Sequence, residues 1–168
     1  MLSPLQELLA VGHRQVLEYF TTGLRDVSEE PVDQQQLMYN ASVLAHYAQT
    51  STVTDDGWPA PATLATVFDS FVVDTSIVGD SSLMETAGAQ CLLLAGFFED
   101  QMRRRHSIRW YGELGAGFFF WASRYERSPE KARLLDALAR NFELWRRRHA
   151  RLSREFRDRP LLLPKLDS

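Results

Sequence analysis

The sequence predicts an all-α fold: a single-domain bundle of about six helices with a long C-terminal amphipathic helix. Three observations carry this. Apolar residues recur at spacings of three and four through most of the chain. Ser and Ser-Pro pairs precede these stretches in the manner of helix caps. Turn-formers are scarce, with seven prolines and nine glycines in 168 residues, too few for a sandwich or barrel built on many tight turns.

The elements follow in order. Ser3-Pro4 with Gln6 supplies an N-cap, a proline at the first helical position and a capping-box partner. Leu5, Leu8, Leu9, Val16, Leu17 and Phe20 then form one stripe of a helix that closes near Gly23. "SEEPVDQQ" opens a second helix with a negative first turn, favoured by the helix dipole, and Leu37, Val43, Leu44 and Tyr47 mark its buried side to about Thr50. "TSTVTDDGWPAP" reads as a loop around an Asp-Gly turn. From Ala62 to Val78 many β-branched residues lower helix propensity, but Leu64, Val67, Phe68, Phe71, Val72 and Thr75 keep helical spacing, so a helix is expected. Gly79-Asp80 ends it, and Ser81 or Ser82 caps the next helix, to about Arg104. Ser107 caps one more, to about Tyr125.

At "RSPEK", Ser128 caps again and Pro129 takes the first position. Beyond it Leu135, Leu138, Phe142, Trp145, His149, Leu152 and Phe156 are spaced 3, 4, 3, 4, 3 and 4, a seam for packing lengthwise on another helix. Asn141 is the one place where that helix is open to interruption. Residues 158–168 read as an irregular tail, and the whole of 1–168 as one all-α domain.

Composition narrows the function classes. Hydrophobic residues at 45% and charged residues at 24% suit a globular protein. The single Cys91 forbids an internal disulfide and fits a reducing compartment. The opening "MLSPLQELLAVGH" has no cationic region ahead of an apolar one, so no secretory signal is expected. The uncharged run Thr86–Phe98 is too short to span a bilayer, so a cytoplasmic location is expected. Charge is polarised: residues 1–80 hold two basic and eleven acidic side chains, residues 81–168 seventeen basic and eleven acidic. Mutual attraction of the two halves accounts for this better than a nucleic-acid surface does, since the basic half is also rich in acids.

Catalytic motifs fail on inspection. "GDSSL" at Gly79–Leu83 resembles the nucleophile block of GDSL-type hydrolases, but no histidine has an Asp three residues before it, and a serine without its base is not activated. A helix stop followed by a serine cap explains the same letters. The four histidines form no Glu-x-x-His, His-x-x-x-His or HExxH, so no metal is expected, and no glycine-rich loop calls for a cofactor. His149 on the apolar seam reads as a buried core residue, and Cys91 beside Leu92–Leu94 as a small hydrophobe. Gly112, Gly115 and Gly117 read as sites of close helix approach.

The basic residues are what remain. Arg103, Arg104, Arg105 and Arg109 with Trp110 and Tyr111 could contact phosphates and stack on bases. A pI near 5.8 and the lack of a recognisable recognition helix argue against nucleic acid. If a site for a small anionic ligand exists between helices, its candidates are His46, Tyr47, Arg103, Arg104, Arg105, His106, Arg109 and Tyr111. Phe118–Trp121 occupy every side of a helix, which predicts burial rather than one-sided membrane insertion.

Gly88, Cys91–Leu94, Gly96-Phe97, Arg103–Arg105, Ser107, Trp110-Tyr111 and Leu114-Gly115 together carry a resemblance. The stretch of about residues 87–123 resembles a group of bacterial all-helical proteins of uncharacterised activity. It departs from the group's pattern at Ala89, where an Asp is expected, and at Trp110, where a Tyr is. The resemblance implies a bacterial, cytoplasmic all-α protein and no mechanism. The reading that best joins these observations is a non-catalytic interaction module, a homodimer through helical surfaces or a binder of another protein. An enzyme or anionic-ligand binder is the first alternative and nucleic-acid binding the second.

Overall fold

The chain was analysed as a computed structural model, which describes residues 13–50, 81–103 and 107–158. Every regular element among them is helical. In chain order these are α1 (His13–Asp26), α2 (Gln34–Thr50), α3 (Ser81–Leu92), a π-helical turn (Leu93–Phe97), α4 (Glu99–Met102), α5 (Ile108–Tyr125), α6 (Pro129–Arg140) and α7 (Phe142–Asp158). The protein is all-α. The expected Ser3-Pro4 cap, the loop at 50–61, the helix at 62–78 and the tail from 159 lie outside the described residues.

The chain divides into two compact units, residues 1–60 with 151–168 and residues 61–150, so α7 contributes to both. In the first unit α1 packs on α2. Val16, Phe20 and Leu24 are buried from α1, and Leu37, Ala41, Leu44 and Ala48 from α2. Each large apolar side chain removed from water this way contributes about 1.5–3 kcal/mol.

Helix α1 closes near Gly23 as expected, ending one turn later at Asp26. A Cβ at Gly23 would meet Leu152 Cδ1 at 2.8 Å, so the glycine also serves close approach. Helix α2 starts within "SEEPVDQQ", at Gln34, but the acids of that stretch precede its first turn instead of occupying it. The Ser28 hydroxyl donates backward to Leu24 O at 2.7 Å and closes α1, while Asp33 Oδ1 accepts from Gln36 N at 2.9 Å and caps α2.

The second unit is built on α5, which packs on α3 along one side and on α6 along another. Two glycines set the spacing. A Cβ at Gly115 would lie 2.5 Å from both Cys91 Cβ and Phe142 Cζ, and one at Gly88 would lie 3.0 Å from Phe119 Cδ2. The expected helix from Ser81 to Arg104 is broken by the π turn, where Phe98 N donates to Leu93 O at 2.8 Å. A π turn widens the helix by one residue, its N–H groups reaching back five residues instead of four. Here Arg146 Nη1 donates to Ala95 O at 3.1 Å, and Gly96 lets α7 approach, since its Cβ would fall 2.9 Å from His149 Cβ.

Ser107 and Ser128 cap α5 and α6 as expected, accepting from Trp110 N at 3.1 Å and Lys131 N at 3.4 Å. The expected long C-terminal helix is two helices, α6 and α7, parted at Asn141 (φ −102°, ψ 18°). The seam survives the break. Leu135, Leu138, Phe142, Trp145, His149 and Leu152 are all buried, while Phe156 lies outside the residues whose side chains are described.

Candidate functional site

Helix α5 has two apolar stripes rather than one. Tyr111, Gly115, Phe119 and Ala122 face inward and are buried. Trp110, Leu114, Gly117, Trp121 and Tyr125, at spacings of 4, 3, 4 and 4, lie along a second line displaced from the first. On and beside that line Trp110 is 46% exposed, Trp121 51%, Tyr125 47% and Phe120 39%. This corrects the expectation that the aromatics of 118–121 are core: of those four, only Phe119 is fully buried. Consecutive residues step around the helix about 100° at a time, so side chains on every side of it cannot all meet neighbours packed on only part of it.

The outer face is held in shape. The Trp110 ring stands edge-on to buried Tyr111 with centroids 4.8 Å apart, and Phe120 and Trp121 pair edge-to-face at 5.4 Å. The Arg124 guanidinium lies 5.2 Å from the Phe120 ring centre. Aromatic groups already fixed by neighbours lose little freedom on meeting a partner. Gly117 leaves a gap between them, since a Cβ there would touch nothing within 4 Å. Of the three glycines expected to mark close helix approach, Gly115 does so, whereas Gly112 and Gly117 do not.

On another flank of α5 a groove of about 590 Å³ runs between that helix and the α6–α7 corner, lined in part by Arg109, Glu113, Arg140, Phe142, Glu143 and Arg146. Its arginines are matched by carboxylates. Arg109 pairs with Glu113 at 3.1 Å, Arg140 with Asp136 at 2.8 Å, and Arg146 with Glu143 at 2.7 Å and Glu99 at 3.4 Å. The hydrogen bonds from Arg146 hold the Glu143 carboxyl below its ordinary range, and those same bonds raise Arg146. An incoming anion would compete with the carboxylates around Arg146, which is little exposed, while the Arg109–Glu113 and Arg140–Asp136 pairs lie at the surface and hold weakly.

The sequence-predicted candidates disperse. His46 is exposed and Tyr47 buried on α2 of the first unit. Arg103 is exposed and pairs with Glu99. Tyr111 is core, and Arg109 lies on the groove. Arg104, Arg105 and His106 lie outside the described residues. The groove lining includes none of His46, Tyr47, Arg103 and Tyr111. Arg103 and Arg109 each pair with an acid four residues away in the chain, and Arg151 pairs with Glu29 Oε1 of the acidic first half, 3.1 Å away.

In "GDSSL" the Ser81 hydroxyl lies 3.0 Å from Ala122 O and 3.2 Å from Glu126 Oε2, tying α3 to the end of α5. Among the described residues no group of three or more His, Cys, Asp or Glu side chains is placed to hold a metal ion, and no helix is long and apolar enough to cross a membrane.

The residues missed in the sequence are thus Gly117, Phe120, Trp121, Arg124 and Tyr125. The signal was present as the second stripe, hidden because the first accounts for the helix. No family model, curated protein or solved structure matches the chain.

Proposed function

We propose that this protein is a self-associating interaction module without catalytic activity, and that the outer face of α5 is its contact surface. The observation that carries the reading is the row of four half-exposed aromatics, Trp110, Phe120, Trp121 and Tyr125, on one helix. Aromatic clusters ordered by their neighbours and ringed by charge are the usual anchors of protein interfaces. The occupant is a second copy of the chain. The face carries an acid, Glu113, toward its start and a base, Arg124, toward its end, so it complements itself when reversed. The anionic-ligand alternative draws less support from a groove whose most enclosed arginine, Arg146, is already held by Glu99 and Glu143. The resemblance to bacterial helical proteins supports a bacterial, cytoplasmic setting.

Light scattering across micromolar concentrations tests this. The wild-type chain is expected to give a dimer, and Trp121→Ser to weaken association tenfold or more, about 1.4 kcal/mol or above. A monomer throughout that range would overturn the reading.

A further inference from the structure

Resting on that reading, we infer that the two copies pair antiparallel along α5, with Trp121 of each seated over Gly117 of the other. Three features of the face lead to this arrangement. Gly117 is an open socket with nothing within 4 Å of where its Cβ would be. Trp121, one turn further on, is the most exposed of the large apolar side chains. In an antiparallel pair with a twofold axis near Phe119, position 117 faces position 121 of the second copy, so socket and knob meet twice. A parallel pair with the same residues in register would set the Trp121 rings against each other and leave the Gly117 gaps facing, an empty space at the centre.

The flanking charges agree. The same register brings Glu113 opposite Arg124 of the second copy at both ends of the contact. The Glu113 side chain is 68% exposed and holds only Arg109, itself 90% exposed, in a surface ion pair. Arg124 is exposed and lies over Phe120. Both are therefore available to exchange partners at low cost. In parallel pairing Glu113 would face Glu113 and Arg124 would face Arg124, which repels at both ends.

Charge reversal decides between the arrangements. Glu113→Arg and Arg124→Glu each place like charges opposite one another at both ends of an antiparallel homodimer, and each alone is expected to weaken association about tenfold. Mixing the two variants restores attraction at both ends, because Arg at position 113 of one copy then faces Glu at position 124 of the other. The expected result is a mixed dimer of near wild-type affinity, read by light scattering or by energy transfer between differently labelled variants. Gly117→Leu fills the socket and is expected to weaken association at least tenfold with helicity unchanged.

If wild-type chains associate but the mixture does not recover and Gly117→Leu associates normally, the antiparallel arrangement is wrong while the interaction reading stands. If wild-type chains do not associate at all, both fall.

Discussion

Glycine at neighbouring positions of α5 serves opposite ends. Gly115 is pressed between Cys91 and Phe142, each 2.5 Å from where a Cβ would be, and both belong to the core. Gly115→Ala is expected to cost about 1–3 kcal/mol in chemical denaturation, as overpacking does. Gly117 borders nothing, so Gly117→Ala should raise stability by about 0.5–1 kcal/mol through helix propensity alone. Equal changes at the two sites would mean that the packing around Gly115 gives way freely. In the sequence "GELGAG" these glycines look alike. What separates them is which side of the helix meets a neighbour, and that depends on residues far away in the chain.

At the scale of elements, the caps at Ser107 and Ser128 and the break at Asn141 were legible, and the π turn was not. Ser107 and Ser128 act through a hydroxyl and a backbone N–H three residues on, a wholly local matter. The π turn at Leu93–Phe97 has no local cause in "LLAGF". The Ala95 carbonyl within it accepts from Arg146, which is also held by Glu99 and Glu143, and Gly96 admits the α7 backbone. Arg146→Met is expected to destabilise the fold by about 2–4 kcal/mol, since Glu99, itself buried, keeps Arg103 but loses one of its two arginines. Urea denaturation measures this, and a loss below about 0.5 kcal/mol would show that the network contributes nothing net. Gly23, near the end of α1, also allows the close approach of Leu152, more than a hundred residues away, which the sequence does not show.

For the molecule as a whole, His149 links folding to pH. Burial pushes its pKa down from 6.5 to about 3. The neutral ring's contribution is complete above the unfolded value of 6.5 and is lost as pH falls toward 3, because the unfolded chain then binds a proton that the folded chain refuses. At pH 5 the loss from this group is about 2 kcal/mol. Thermal melts at pH 7 and pH 5 should differ by about 5 °C more in the wild type than in His149→Gln, and an identical pH response would exclude the histidine as the cause.

The amino-acid pattern alone established the all-α class, the caps at Ser107 and Ser128 and the buried seam from Leu135 to Leu152, because each follows from helical periodicity or from bonds a few residues long. The outer aromatic face, the division of the glycines, the π turn and the long-range pairs Arg146–Glu99 and Arg151–Glu29 came from tertiary packing, whereas Arg103, Arg109 and Arg140 pair with acids four residues away in the chain. A helix's period tells which residues share a side, while the partners packed against it select which sides are covered. Two stripes on α5 were equally apolar on paper, and contact with α3 and α6 buried one and left the other open.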